Sequence, residues 1–187
     1  LLNSSAVKSG VNFNLMSKQF ILLAAMTIDG KIAKDVGHLS TNWTSTEDKN
    51  HLHAILNKCD AVIVGNNTYK TAYSPLSKRN CIVFTRSVQT TKQHTPKCLY
   101  FNPSKVNFKK WLLKSSYQKI AILGGTATYN LFLEKKLITE IYLTIEPVIF
   151  GSGLGLFDTK LKAYCHFKLN SIKKLNRRGS ILLHYTL

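Results

Sequence analysis

The residues able to do chemistry in this chain stand at the ends of apolar runs. Ile120-Ala121-Ile122-Leu123-Gly124-Gly125-Thr126-Ala127-Thr128-Tyr129 carries a buried strand into two glycines and then into a helix-forming segment. Glycines let the backbone come close to a bulky anion. A helix start adds free N–H groups and a partial positive charge of about half a unit. Together they make a cradle for a pyrophosphate. The same glycines also suit a plain tight turn, and the spacing is neither GxGxxG nor that of a P-loop. Three further segments have the same form. Val62-Ile63-Val64-Gly65-Asn66-Asn67-Thr68-Tyr69 ends a strand at a glycine and starts a helix. Val83-Phe84-Thr85-Arg86-Ser87 ends another with two hydroxyls and an arginine. Ala24–Ala33 couples a strand to a glycine turn. Thr44-Ser45-Thr46-Glu47-Asp48 offers hydroxyl caps and acids for a helix start, which capping alone would also select. His51 and His53 come one turn later and read as solvated or supporting groups. No His/Cys set has zinc spacing, so no metal site is expected.

These residues need a scaffold that brings strand ends together. Phe20–Met26 suits a strand buried on both faces, and Thr27-Ile28-Asp29-Gly30 reads as the turn after it. The helix from the 44–48 cap carries Leu52, Ile55, Leu56 and Cys59 at helical spacing. Ala61–Val64 is a second strand, closed by Gly65, with a short helix over Asn67–Tyr73. Cys81–Thr85 and Cys98–Phe101 are the third and fourth strands. Asn102-Pro103 opens a helix with Pro at its first position, turning Val106, Trp111 and Leu112 or Leu113 inward. Ile120–Leu123 is the fifth strand, Thr126–Lys135 its helix, and Glu140–Ile145 the sixth strand. His166–Leu175 and Ser180–Leu187 read as an antiparallel hairpin. These elements predict a single-domain α/β fold: a mostly parallel central sheet, helices on both faces, and an antiparallel C-terminal hairpin. Ligands of such sheets bind at the C-terminal ends of the strands.

Composition narrows the partners. A chain of 187 residues, 44% hydrophobic, suits one domain with a sizeable core. No apolar run reaches the length of a membrane span. Residues 1–15 are polar and mixed, without the apolar segment of a signal peptide. Met16 is the expected start, residues 16–187 the domain, and residues 1–15 an upstream extension or disordered tail. Cys59, Cys81, Cys98 and Cys165 are widely spaced and read as free thiols in a reducing cytoplasm. The net charge of +17 rests on 22 lysines and only four arginines. Readers of nucleic acid lean on Arg for bidentate contacts. The charge is either a solvated, Lys-biased surface or a field that draws in anionic small molecules or, non-specifically, nucleic acid.

Taken in order, AAMTIDGKIA, WTSTED, VIVGNNTY, ILGGTATY and YLTIEPVIFGSG resemble the dihydrofolate reductase superfamily. Within it the chain is most similar, over residues 19–187, to the C-terminal reductase domain of the riboflavin-biosynthesis deaminase-reductase. The resemblance implies a dihydrofolate-reductase-like fold, NADPH as cofactor, and hydride transfer to a pteridine-like or ribosylaminopyrimidine substrate. It places Gly124, Gly125 and Thr126 around the pyrophosphate, with Thr68 assisting from the other side, and Gly65 and Leu123 as further cofactor contacts. Thr85, Arg86 and Ser87 match the loop that receives the adenosine 2′-phosphate, a dianion suited by an Arg and hydroxyl donors. Ala25, Ile32 and Ala33 would face the nicotinamide, and Tyr129 its junction with the substrate. Trp43 and Asp48 match a tryptophan–carboxylate pair of the folate-type members. There the carboxylate grips the N3–H and 2-amino group of a pterin and favours protonation of the imine nitrogen. Burial beside apolar walls would perturb its pKa. Glu47 competes with Asp48 for this role, Leu52 lies beside it, and Thr144 matches a threonine that supports the carboxylate.

The match departs in places. Riboflavin-pathway reductases commonly carry Asp-Asn-Pro-x-Leu-x-x-Arg after the VGxxT motif. This chain has Tyr73-Ser74-Pro75-Leu76-Ser77-Lys78-Arg79, without the Asp. Asn66 and Thr126 stand where dihydrofolate reductases have an arginine and a third glycine, yet IEPVIFGSGLGLF is not a folate-type ending. The expected activity is reduction of 5-amino-6-(5-phosphoribosylamino)uracil, with dihydrofolate reduction as the alternative. A basic nucleic-acid-binding protein is the alternative of another class, although no RNP, KH or helix-turn-helix signature supports it. A degenerate cofactor-binding protein is a third reading. A homodimer is expected, with a small heterocyclic substrate and no membrane or specific nucleic-acid partner.

Overall fold

The computed structural model describes residues 18–161 and 164–187. The segment 1–15 and the expected start at Met16 lie outside the described residues. Eleven strands and five α-helices alternate along these residues. They are β1 (Gln19–Thr27), β2 (Lys31–Ala33), α1 (Thr46–Leu56), β3 (Ala61–Gly65), α2 (Asn66–Thr71), α3 (Tyr73–Leu76), β4 (Cys81–Phe84) and β5 (Thr91–Thr95). Then come β6 (Cys98–Phe101), α4 (Phe108–Lys114), β7 (Lys119–Ile122), α5 (Thr126–Glu134), β8 (Glu140–Glu146), β9 (Leu154–Gly155), β10 (Lys168–Lys174) and β11 (Ile181–Thr186). Nine strands form one sheet in the order β10-β11-β8-β1-β7-β3-β4-β6-β5. The six strands from β8 to β6 are parallel, while β10, β11 and β5 add antiparallel edges.

Side chains alternate across a strand, and the central strands are apolar at nearly every position, so both sheet faces are buried. Phe20, Leu22, Ile63, Ile120 and Ile122 cluster with Phe108 and Leu112 of α4 and Tyr129 and Phe132 of α5. Ile21, Leu23, Val62, Val64 and Ala121 cluster on the other side with Ile55, Leu56, Tyr69 and Leu76 of the first three helices. Each fully buried side chain of this kind contributes about 1.5–3 kcal/mol. All four cysteines are free, and burial pushes the Cys81 thiol up to about 12, out of the reactive range.

Two expectations fail locally. The helix expected at Asn102-Pro103 begins later. Asn102 closes a turn instead, accepting from Ser104 N at 3.1 Å and donating to Val88 O at 2.8 Å. The real cap is Asn107, whose Oδ1 accepts from Lys110 N at 3.0 Å, and Phe108 and Leu112 are then the buried positions. The strand β5 has no counterpart in the sequence pattern. Its TKQHT is almost wholly exposed, and only pairing with the backbone of β6 makes it a strand.

Two contacts set the C-terminal rim of the sheet. At the first, Gly65 N donates to Gly124 O at 2.7 Å and Leu123 N to Ile63 O at 3.0 Å, joining β3 to β7. Tyr129 folds back over this junction and its hydroxyl donates to Leu23 O of β1 at 2.7 Å. Gly124 has φ +84°, and a Cβ there would lie 2.8 Å from the Tyr129 ring. The Gly124–Gly125 peptide is cis. At the second, Glu146 ends β8 and is only 4% exposed. Its Oε1 accepts from Ser45 N at 2.8 Å and Ser45 Oγ at 2.7 Å, and its Oε2 accepts from Ser180 Oγ. Ser45 caps α1, accepting from Asp48 N at 3.3 Å. One carboxylate therefore fixes α1 to β8 and to the entry of β11.

The two glycines of the rim should respond differently to alanine. Gly124→Ala combines a left-handed backbone with a ring clash and should cost roughly 2–4 kcal/mol in denaturant unfolding. Gly125→Ala meets only Thr68 Oγ1, at 3.8 Å, and should stay within about 1 kcal/mol of the parent. Glu146→Ala strands buried donors and should cost roughly 3 kcal/mol or more, with Glu146→Gln recovering about half. Equal losses for Ala and Gln would show that the acceptor is not what holds the rim.

Candidate active site

A cavity of about 1300 Å³ opens at the C-terminal ends of the parallel strands. It exceeds the roughly 300–1,000 Å³ of an ordinary small-ligand pocket. The strand order lays its walls out in line. Thr144 of β8 comes first, then Ala25 of β1 in direct register with it, then Leu123 and Gly125 beyond β7, Gly65 at the end of β3, and Thr85 beyond β4. Four interstrand gaps separate the ends of this line, a span of about 19 Å. Ile32 and Ala33 of β2 also line the cavity, as do Leu154 and Gly155 of β9. The β2–β9 pair is drawn close by Gly153, where a Cβ would lie 2.3 Å from Ala33 O. Thr126 Oγ1 donates to Gly155 O at 2.6 Å and ties this pair to the start of α5.

At the β7 end the helix α5 begins at Gly125 with no side-chain cap. The amides of Gly125, Thr126 and Ala127 donate to no group among the described residues, and all three residues line the cavity. Thr68, at the start of α2, brings its hydroxyl within 3.8 Å of where a Gly125 Cβ would stand. Beyond β4, Thr85 Oγ1 lies 2.9 Å from Ser87 Oγ and accepts from Ser87 N at 3.1 Å. Arg86 between them is exposed and makes no ion pair among the described residues. These donors and this guanidinium fit a phosphorylated dinucleotide, with a pyrophosphate at α5 and a further phosphate at Arg86.

At the β8 end the cavity holds Asp48, which is 8% exposed. Burial pushes its carboxyl pKa up, the hydroxyls of Thr144 and Thr44 pull it back, the charge of Glu146 raises it, and His51 lowers it. Thr44 Oγ1 is itself buried without a partner of normal hydrogen-bond geometry. Leu52 and Leu56 supply apolar wall beside Asp48, and Tyr142 and Thr144 face it from β8. Arg79 lines the outer part, held by bonds from Nη1 to Leu56 O at 2.9 Å and from Nη2 to Asn57 Oδ1 at 2.7 Å. Among the described residues no group of three His, Cys, Asp or Glu is placed to hold a metal.

Of the expected site residues, Ala25, Ile32, Ala33, Asp48, Leu52, Gly65, Thr68, Thr85, Arg86, Ser87, Leu123, Gly125, Thr126, Tyr129 and Thr144 all line this one cavity. Three do not. Gly124 lies buried beneath the Tyr129 ring. Glu47 points outward and accepts from Asn176 Nδ2 at 3.2 Å, which removes it as a rival to Asp48. Trp43 stands behind the wall, edge-on to Phe150 at 5.0 Å, with His38 at 6.4 Å. Trp43 Nε1 is buried without a partner. Tyr129 is both wall and core: it is 3% exposed and its hydroxyl is spent on Leu23. Glu146 and Arg79 are the positions that motif reading left without a role. The IEP of the β8 motif marks the first. Only the loose Pro-Leu-x-x-Arg match marks the second.

Known proteins place the chain further. It is 29% identical over 179 residues to the uncharacterized protein YwjB of Bacillus subtilis strain 168, covering 91% of this chain and 98% of that one. Among solved structures it resembles the diaminohydroxyphosphoribosylaminopyrimidine deaminase/5-amino-6-(5-phosphoribosylamino)uracil reductase of Thermotoga maritima. There the TM-score is 0.68 at 18% identity, over 91% of this chain and 57% of that one. A dihydrofolate reductase from Enterococcus faecalis, complexed with NADP(H), superposes with a TM-score of 0.63 at 16% identity, covering 91% and 96% of the two chains. The architecture is thus the dihydrofolate-reductase-like one. No helix among the described residues is long and apolar enough to cross a membrane. The sequence pattern of the RibD C-terminal domain matches residues 18–179, and the chain belongs to that family.

Proposed function

We propose that the chain is an NADPH-dependent reductase acting on a ribosylaminopyrimidine phosphate, with 5-amino-6-(5-phosphoribosylamino)uracil as the preferred reading of its substrate. The observation that carries this is the line of polar groups across the cavity: the donors Arg86 and the open amides of α5, and a buried carboxyl group at the far end. The family and the uracil reductase from Thermotoga support it.

Bound NADPH supplies the hydride. The amides of Gly125, Thr126 and Ala127, with the Thr68 hydroxyl, hold the pyrophosphate. Arg86 with the hydroxyls of Thr85 and Ser87 holds the 2′-phosphate. Ala25 keeps the end of β1 low enough for a flat ring to lie over it. Asp48 binds and orients the heterocycle from α1, and its raised pKa keeps the protonated carboxyl accessible nearer neutrality. Arg79, fixed by its own hydrogen bonds, takes the anionic end of the substrate. The site acts in the cytoplasm, as a homodimer on this reading. Dihydrofolate is the second reading, favoured by Asp48 itself, because a carboxylate matches the paired N–H groups of a pterin edge.

NADPH should protect the protein from heat. Adding the pyrimidine phosphate should then consume NADPH, followed by the loss of its near-ultraviolet absorbance, faster than adding dihydrofolate. Absence of protection would overturn the cofactor assignment. Asp48→Asn should lower kcat by about 100-fold or more while leaving NADPH affinity within about twofold. The same substitution has a signed effect on stability. Folding raises the Asp48 pKa above its unfolded value of about 3.9, so its contribution is fully present below that pH and is lost as the pH rises through the folded pKa. Asp48→Asn should therefore melt higher than the parent at neutral pH, with the two converging near pH 4. Arg86→Ala should reduce the preference for NADPH over NADH by about tenfold, and an unchanged ratio would take Arg86 out of the 2′-phosphate role.

A further inference from the structure

His51 stands three residues beyond Asp48 on α1, at the spacing that brings side chains together on one helix face. Both residues line the cavity. The His51 ring packs 5.1 Å from Tyr142, and Tyr142 stacks on His184 at 4.2 Å. His184 is already engaged, with its Nε2 2.9 Å from Glu140 Oε1. His51 makes no hydrogen bond among the described residues, and its Nε2 is buried without a partner, whereas Nδ1 is not enclosed in that way. A buried lone pair without a donor is tolerated better than a buried N–H without an acceptor. The proton of the neutral ring is therefore assigned to Nδ1.

Burial holds the His51 pKa below its ordinary value against the pull of Asp48, and Lys173, His184 and Lys58 act in the same direction as burial. The ring at neutral pH thus offers one N–H, beside a carboxylate and facing the cavity. That combination has a chemical meaning. A lone carboxylate presents two acceptors, which suit an N–H flanked by an amino group. Against an N–H flanked by a carbonyl, its second oxygen meets another oxygen. A donor next to the carboxylate removes that conflict.

Resting on the reductase reading, we propose that His51 determines substrate specificity: its Nδ1–H donates to a ring carbonyl adjacent to the N–H that Asp48 accepts. The pocket then selects heterocycles whose ring N–H lies beside a carbonyl over those whose ring nitrogen is flanked only by amino groups. A uracil ring offers that N–H and carbonyl side by side, whereas a fully amino-substituted pyrimidine offers no carbonyl. His51 is absent from the motif set that carries the resemblance, and its role comes from its position, its unused nitrogens and its neighbour.

The test uses the full chain saturated with NADPH and two ring probes, 5,6-diaminouracil and 2,4,5,6-tetraaminopyrimidine, with dissociation constants from calorimetry. The parent should bind the uracil about tenfold more tightly. His51→Phe keeps a ring against Tyr142 without the donor, and should bring the two constants within about twofold of each other. His51→Asn, whose amide N–H stands in for Nδ1–H, should restore most of the preference. Should His51→Phe fail to fold, His51→Leu serves the same purpose. A preference left intact without the imidazole overturns the proposal, since the donor is then another group such as a protonated Asp48. Equal weakening of both probes and of NADPH also overturns it, as the mark of a purely structural residue. A parent that binds NADPH but shows no preference sinks the His51 inference alone. A parent that does not bind NADPH sinks the reductase reading and this inference with it.

Discussion

A hydrogen bond 2.7 Å long, from Gly65 N to Gly124 O, joins the ends of β3 and β7, and Tyr129 pins that junction to β1 through Leu23. β3 and β7 therefore end side by side, while β1 runs on past them to Thr27. The segments leaving these strands shape the space above them. After β3 and β7 helices begin at once, each from a glycine cap without a competing side chain. Their amides stay free for something other than the protein. A bulkier residue at Gly124 would push Tyr129 out of its seat and loosen the junction. The glycine that looked like a ligand contact is thus the one that sets the geometry, while its neighbour Gly125 faces the cavity.

Two buried carboxylates divide the work at the other end. Glu146 has three protein donors and holds α1, β8 and β11 together. Asp48, three residues along from the cap that Glu146 anchors, has the hydroxyls of Thr144 and Thr44 beside it, and burial still raises its pKa. Burying a carboxylate is costly even with hydroxyl partners, which is why its proton is held more tightly. The rigid attachment of Ser45 to Glu146 is what lets α1 present Asp48 at a fixed height over Ala25 and Thr144.

The surplus of positive charge fits this division. Among the described residues the ion pair of His184 with Glu140 stands alone, so most lysines carry their fields into solvent. The lysine and arginine side chains lining the cavity are Lys49 and Arg79 on the side of α1 and Arg86 beyond β4. The net charge of +17 is therefore carried mostly by lysines that pair with no carboxylate among the described residues.

The order of buried strands, the double-glycine turn, the capped helix at 45–48 and the family were legible in the sequence, because each is local. Apolar runs report burial, glycines report sharp turns, and hydroxyls before acids report a helix start. Thr91–Thr95 was not legible, since an edge strand of polar residues exists only through its neighbour's backbone. Nor was the helix start at Phe108, because Asn102 and Asn107 are equally good caps until the chain on either side is placed. Local pattern could not separate Glu47 from Asp48, adjacent acids in one helical turn. Helix α1 had to dock before one faced Asn176 and solvent and the other the cavity. Glu146 and His51 belong to the same class. The sequence by itself determined the elements and the glycines that end them, because backbone preference and burial act over a few residues. The tertiary structure alone decided which polar groups were left without partners, because that depends on contacts between segments about a hundred residues apart.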